Sequence, residues 1–200
     1  MGDRRSQHKV NVRSFELGKY ELTQSQWTAV MGSNPSAFSS CEECPVERVS
    51  WNDAQEYIHK LNQLTGKRYR LPSEAEWEFA CRGGGKERSH CGTARNIDRF
   101  AWYKNTSNGK THPVGKKSPN ELLLYDMSGN VWEWVQDCWN ESHVGSPRTG
   151  SAWLIGDCNR AVLRGGSWVV SERKLRAYHR YNKKRDFQYS TFGFRLAKDL

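Results

Sequence analysis

The chain has 200 residues, which is enough to enclose one hydrophobic core, and it carries a formal net charge of +9. No apolar run approaches the ~20 residues that a membrane-spanning helix needs, and this excludes an integral membrane protein of that kind. Only 36% of the residues are hydrophobic, but nine Trp, eight Tyr and seven Phe favour a core of aromatic side chains between many turns.

The positive charge favours an acidic partner, such as an acidic protein, anionic lipid or nucleic acid. The cations are spread along the chain except between Arg173 and Arg185, where seven Lys and Arg gather. No recognised nucleic-acid-binding motif accompanies them, so a nucleic-acid partner is disfavoured, although the charge does not exclude it. The alternative interpretation of this cluster is a solvated surface.

Local signals predict the first elements. Alternating apolar and polar residues predict a half-buried strand over residues 10–17. Thr23 and Gln26 have the spacing of a capping box, which predicts a short helix that begins there. Gly32 is the expected end of this helix, because glycine adopts the left-handed conformation that closes many helices.

Two further segments carry the strongest helix signals. Ser50 is a suitable N-cap. Apolar residues recur at helical spacing after it, and Gly66 is the expected end of the helix. Ser73 and Glu76 form another capping box, which opens a second main helix that is expected to reach Gly83. These two segments are predicted to be the main helices of the chain.

From Gly84 onward, turn signals crowd the sequence and the predicted elements are short strands and long ordered loops. This pattern predicts an α+β fold, in which two main helices pack on a small, mostly antiparallel sheet. No linker is apparent, so we predict a single domain over residues 1–200.

The six cysteines are spaced as three local pairs, although six cysteines allow fifteen pairings. The pairs are Cys41 with Cys44, Cys81 with Cys91, and Cys138 with Cys158. Disulfides of this kind would staple loops and would favour an exported or cell-surface protein, whereas reduced thiols would suit the cytoplasm. A zinc site, with the first pair as one half, is the remaining alternative.

Several longer motifs together carry a family resemblance. They are residues 18–24 (GKYELTQ), 45–51 (PVERVSW), 69–80 (YRLPSEAEWEFA), 124–134 (LYDMSGNVWEW), 162–168 (VLRGGSW) and 193–197 (GFRLA). In this order and spacing they resemble the formylglycine-generating, or sulfatase-modifying, enzyme family from about Val10 to Ala197. The resemblance implies an irregular variant of the C-type lectin fold.

The chemistry of the resembling enzymes depends on two cysteines that this chain lacks. They hold copper(I), which prefers soft sulfur ligands and is used to oxidise a substrate cysteine with oxygen. The resemblance places Val170 and Leu175 at those positions, and neither side chain can bind a metal. We therefore expect no copper and favour a non-catalytic member of the family.

The alternative is a metal-dependent oxidoreductase of the wider superfamily, with a site that these motifs do not reveal. The related sulfoxide synthases bind iron through three histidines, which come largely from an extra helical domain. The six histidines of this chain show no ligand spacing, so we expect no iron either.

The resemblance also implies a calcium site built mostly from backbone oxygens. The residues at the matching positions are Asp126, Gly129, Val131 and Glu133. Calcium binds oxygen ligands, and Glu133 follows the turn closely enough for its carboxylate to meet carbonyls of the same loop. The alternative is that Glu133 only caps N–H groups of its own loop. A second calcium site of the family is not expected here, because no acidic residue lies near Thr106.

A further branch of the resemblance favours binding. Variable proteins of diversity-generating retroelements use this fold and place their varied residues between the last two motifs, which in this chain enclose residues 169–192. Tyr, His and Arg side chains on a rigid scaffold suit recognition of a protein or another macromolecule. The predicted binding surface consists of Trp168, Val170, Ser171, Lys174, Tyr178, His179, Tyr181, Lys183, Arg185 and Phe187. The alternative is an ordinary basic strand–loop–strand that closes the sheet.

Four large side chains near these motifs have structural predictions. Arg164 and Arg195 are expected to be buried ion-pair anchors rather than catalytic groups. Trp132 and Trp134 are expected on opposite sides of a strand, one packed inward and one lining a groove, with a core position the favoured interpretation for either.

Overall fold

The computed structural model describes residues 8–86, 89–92 and 96–200. The helices in these ranges are α1 (Gln24–Met31), α2 (Trp51–Thr65) and α3 (Glu74–Cys81). The strands are β1 (Phe15–Leu17), β2 (Tyr69–Arg70), β3 (Ala101–Trp102), β4 (Ser128–Gly129), β5 (Trp132–Trp139), β6 (Asp157–Arg164), β7 (Tyr181–Lys184), β8 (Phe192–Gly193) and β9 (Ala197–Asp199). Among these residues, no helix is long and apolar enough to cross a membrane.

The predicted helix starts are confirmed by their capping boxes. The Thr23 hydroxyl accepts from the Gln26 amide at 3.3 Å, and the Gln26 side chain accepts from the Thr23 amide at 3.1 Å. The same reciprocal pairs form at the starts of α2 and α3. Gly32 and Gly66 end α1 and α2 in the left-handed conformation. With eight residues each, α1 and α3 are equally short, so α2 is the one long helix in the described ranges.

The strands form three small sheets. The largest has the order β7-β6-β5-β8, and a second has the order β1-β9-β2. Most pairs are antiparallel, as predicted, but β5 with β8 and β3 with β4 are parallel. The first strand is shorter than predicted and covers only Phe15–Leu17. Its partner β9 offers three residues for pairing, and a strand extends only as far as its hydrogen-bonded ladder.

The core is aromatic, as the composition indicates. Trp27 stacks on Tyr57 at a ring-centroid distance of 5.3 Å, and both contact Phe194 edge-on. Trp132 and Trp134 belong to the same buried cluster, so the expectation that they lie on opposite sides is wrong. Residues two apart on a strand share a face, and this strand directs both rings inward.

All six cysteines form disulfides, and the pairs are the three local ones predicted from spacing. The zinc alternative for the first pair is therefore contradicted, because a disulfide leaves no thiolate to bind the ion. The third bond joins β5 to β6 across the base of their long connection. Such bonds persist in oxidising surroundings.

Candidate functional site

The segment between β6 and β8 begins at a tight turn that only glycine permits. Gly166 has φ 83°, and a Cβ on it would lie 2.5 Å from a Leu175 methyl and 3.3 Å from a Val170 methyl. Leu175 is fully buried with Ile97 and Tyr103, and Val170 packs against the same cluster. The two positions where the resembling enzymes carry copper-binding cysteines therefore hold packed aliphatic side chains, which do not fit copper.

Three aromatic rings from β7 and the loop that follows it form a patch around a buried fourth ring. Tyr181, Phe187 and Tyr189 each lie about 6 Å, centroid to centroid, from the buried ring of Phe192. Phe187 is 41% exposed and Tyr189 is 56% exposed, whereas Tyr181 is half-buried. The Lys183 ammonium lies 5.0 Å from the centre of the Phe187 ring and 5.5 Å from that of Tyr181. We call Tyr181, Phe187 and Tyr189 the aromatic patch.

Backbone pairing explains why these rings meet. Tyr181 pairs with Leu163 in the antiparallel β6–β7 ladder, and its ring lies against Trp132 of β5 at 5.4 Å. The chain then turns back, since the Phe187 amide donates to the Lys184 carbonyl at 3.0 Å. A second turn, from the Phe192 amide to the Tyr189 carbonyl at 3.0 Å, returns it to β8. The patch is thus held by main-chain hydrogen bonds on both sides.

Trp168 adds another aromatic side chain to this side of the segment. Its indole N–H donates to the Ser190 carbonyl at 2.9 Å, and its ring meets Phe38 edge-on at 5.5 Å. It is half-buried. Trp168 is therefore tied to the loop that follows the patch.

The remaining predicted surface residues occupy different environments. Ser171 and Lys174 are exposed. Ser171 precedes the short 3-10 helix Glu172–Leu175, and Lys174 lies within it. The half-buried Tyr178 hydroxyl accepts from Arg176 at 2.6 Å, and the half-buried Arg185 lies 4.0 Å from the Trp51 ring.

His179 is half-buried, and its ring lies 5.8 Å from that of Trp132. Burial lowers the pKa of His179 to about 4, and the nearby cations Lys174 and Arg164 act in the same direction. His179 is therefore a neutral side chain at physiological pH.

Tyr189 is the aromatic residue of the segment that the sequence prediction missed. It stands two residues after Phe187, and their rings lie 6.3 Å apart with an interplanar angle of 23°. Residues two apart in an extended segment lie on the same face, so the spacing from Phe187 was the signal in the sequence that could have identified Tyr189.

Two buried arginines hold the frame on which this segment sits, and the prediction that they are ion-pair anchors is confirmed. Arg164 pairs with Glu74 at 3.2 Å and Glu78 at 2.8 Å, and donates to the carbonyls of Ala177 and His179. Because those carbonyls belong to the segment between β6 and β8, Arg164 fixes the backbone path of that segment directly.

The second anchor, Arg195, pairs with both oxygens of Glu133 at 2.7 and 2.8 Å. It also donates to the carbonyls of Gly18 and Tyr125. The Trp77 indole donates to the same Glu133 carboxylate at 2.8 Å. This group joins the connection between β8 and β9 to α3, to β5 and to the N-terminal part of the described chain.

The residues that the resemblance assigns to calcium lie beside Arg195. Both oxygens of Glu133 already accept hydrogen bonds, and the described residues include no cluster of three or more His, Cys, Asp or Glu suited to a metal. Asp126 accepts from the Gly115 amide through one oxygen at 2.7 Å, and its other oxygen is buried without a donor. Burial raises the pKa of Asp126 to about 6.

Glu21 is a further buried carboxylate of this neighbourhood, and the sequence prediction missed it. Its oxygens accept from the Val131 amide and the Asn130 side chain. Burial, followed by the charges of Asp126 and Glu133, raises the pKa of Glu21 well above its usual value. Glu21, Asp126 and Glu133 therefore all lie near one guanidinium, that of Arg195. A bound calcium ion would use the free oxygen of Asp126 and backbone carbonyls, and calcium stays a prediction.

A chelation experiment tests the calcium prediction. If calcium binds, millimolar calcium is expected to raise the melting temperature relative to EDTA, because a ligand at one hundred times its Kd stabilises by about 2.7 kcal/mol. Asp126→Ala is expected to remove this response. Differential scanning calorimetry of both proteins is the measurement, and magnesium is the control ion. Equal melting temperatures with calcium and EDTA would contradict the prediction.

The chain is similar to proteins of several descriptions. The family model of the sulfatase-modifying factor enzyme 1-like domain matches residues 1–200. Chaperone protein LppX of Paenibacillus barcinonensis is 36% identical over an alignment 219 residues long. The alignment covers 83% of this chain and 73% of that protein. The formylglycine-generating enzyme of Streptomyces coelicolor is 36% identical over 171 residues, which cover 78% of this chain. The match spans only 52% of that enzyme's length.

A solved structure shows the likeness in three dimensions. Treponema denticola variable protein 1 superposes with a TM-score of 0.90 at 31% identity, over 96% of this chain and 86% of that one. The predicted fold class, a formylglycine-generating-enzyme-like variant of the C-type lectin fold, is confirmed. The chain belongs to the sulfatase-modifying factor enzyme 1-like domain family.

Proposed function

We propose that this chain is a non-catalytic binding protein that presents the segment between β6 and β8 to a protein ligand. The observation that carries the proposal is the aromatic patch. Phe187 and Tyr189 are held in place by turns on both sides, yet about half of each ring faces solvent. Large rigid rings of this kind supply much of the binding energy at protein interfaces.

The environment of the patch supports the same proposal. Arg164 and Arg195 lock the frame around the segment, so little conformational entropy is lost when a ligand binds. The copper-binding positions are filled by Val170 and Leu175, which supports a function other than cysteine oxidation. The likeness to a protein titled a variable protein supports variation of this segment among relatives.

The oxidoreductase alternative has its own test. Metal analysis of protein purified without chelator is expected to find neither copper nor iron in stoichiometric amount. Stoichiometric copper or iron, together with oxygen uptake on addition of a thiol substrate, would replace the binding proposal with an enzymatic one.

The three disulfides support an exported or cell-surface location for this binding function. A ligand is then expected outside the reducing cytoplasm. A thiol reagent measures whether the cysteines are oxidised in the protein's natural location. The native protein is treated with the reagent before it is extracted from its source and again afterwards.

Replacing the exposed rings tests the binding proposal. The double variant Phe187→Ala/Tyr189→Ala, when immobilised, is expected to capture no ligand from material collected outside the source cells. It is expected to lower the free energy of unfolding by about 1 kcal/mol or less. The matched control is Leu154→Ala/Ile155→Ala, which removes two exposed apolar side chains outside the segment. Affinity capture on immobilised protein, quantified by mass spectrometry, is the measurement. A protein held equally by the wild type and both double variants would contradict the proposal.

A further inference from the structure

We infer that the ligand of this surface is an acidic protein segment, bound by cations that border the aromatic patch. This inference rests on the proposed function and specifies the chemistry of its partner. Residues 169–192 contain seven Lys and Arg but only two carboxylates, Glu172 and Asp186. The segment therefore accounts for a large part of the positive charge of the whole chain.

Six of these seven cations have no carboxylate partner in the described part of the chain. The seventh, Arg180, pairs with the buried Glu74, as Arg164 does. The six that lie more than 4 Å from any described carboxylate oxygen are Arg173, Lys174, Arg176, Lys183, Lys184 and Arg185. Four of the six are exposed, and only Lys183 and Arg185 are half-buried, so most of this charge is available to a partner.

Positive charge lies directly beside the aromatic patch. The Lys183 ammonium lies 5.0 Å from the centre of the Phe187 ring and 5.5 Å from that of Tyr181. The exposed Lys184 ends β7, and its carbonyl accepts from the Phe187 amide at 3.0 Å. A ligand that packs on the exposed rings of Phe187 and Tyr189 therefore meets the positive charge of both lysines.

The geometry of the rings favours a protein over a nucleic acid. Stacking of a base needs an open ring face. In the patch, Phe187 and Tyr189 lie almost parallel against each other, and the Lys183 ammonium covers part of Phe187. Aliphatic or aromatic side chains of a protein can pack on the edges that stay exposed.

Fluorescence polarisation with defined probes tests the inference. The probes are a labelled peptide of alternating Glu and Asp with a central Leu-Trp pair, the same peptide with Lys at the acidic positions, and an oligothymidylate. We expect the acidic peptide to bind at low salt and the basic peptide not to bind. Lys183→Glu/Lys184→Glu is expected to weaken acidic-peptide binding by about tenfold or more, because like charges then face each other.

A second charge reversal serves as the matched control. Lys67→Glu/Arg68→Glu changes the net charge of the chain by the same amount, at two exposed residues that follow α2 in the sequence. Retention of peptide binding in this variant, with loss in the Lys183 and Lys184 variant, supports the inference. Equal loss in both variants, no binding of the acidic peptide, or tighter binding of oligothymidylate would overturn it.

The captured ligand separates failure of this inference from failure of the proposed function. If the ligand is lost with Phe187→Ala/Tyr189→Ala but is retained by Lys183→Glu/Lys184→Glu, the surface binds a partner that is not acidic. If it is retained by both, the surface is not the binding site. Thermal melts confirm beforehand that each variant is folded.

Discussion

Replacement of Arg195 by methionine is expected to destabilise the fold by about 3–5 kcal/mol, the usual cost of leaving one partner of a buried ion pair uncompensated. Arg195 is fully buried and holds Glu133 through two hydrogen bonds. Glu21 and Asp126 lie close enough to add their charges. Without the guanidinium, three carboxylates would be buried without a cation, so they must take up protons or the local structure must open.

Chemical denaturation with a double-mutant cycle measures this effect. Glu133→Leu/Arg195→Met removes both charges and is expected to lose less stability than the sum of the two single variants. Lys60→Met is the surface control, because Lys60 pairs with Glu56 in an exposed i,i+4 bridge that contributes less than about 1 kcal/mol. An Arg195→Met protein as stable as Lys60→Met would show that the pair does not hold the frame.

Replacement of Trp77 by alanine is the second large expected loss, again about 3–5 kcal/mol. Trp77 is completely buried on α3, lies 5.1 Å from the Arg164 guanidinium, and donates to Glu133. Alanine would leave a cavity and remove a hydrogen bond from that buried carboxylate. The ring therefore links the two arginine anchors through contacts with both networks.

The control for Trp77 lies two residues along the same helix. Phe79 is 37% exposed, and Phe79→Ala is expected to cost clearly less, since much of its ring already faces solvent. Urea unfolding followed by tryptophan fluorescence and circular dichroism compares the two variants. Similar losses for Trp77→Ala and Phe79→Ala would contradict the central position of Trp77.

Features encoded by neighbouring residues could be predicted from the sequence. Each capping box lies within four residues, so Thr23, Ser50 and Ser73 correctly marked the starts of the helices. The short spacings of the cysteine pairs indicated their bonding in the same way. The family motifs predicted the fold because they recur in order over most of the chain.

Features that depend on distant partners could not be predicted. The length of β1 is set by β9, which begins 180 residues after β1 ends, since Leu17 pairs with Ala197. Glu21 joins Asp126 and Glu133 only because the chain folds back on itself. Tyr189 becomes part of the aromatic patch through contact with Phe192, which the sequence does not mark as buried.

The two arginine anchors have a consequence for how this domain can change. Their hydrogen bonds end on carboxylates of the frame and on backbone carbonyls, and not on the exposed side chains of the segment. Substituting Ser171, Lys174 or Gln188 therefore leaves both networks intact. If the segment binds a ligand as proposed, the residues that stabilise the fold are separate from those that contact the ligand, so the contact residues can change without loss of the fold.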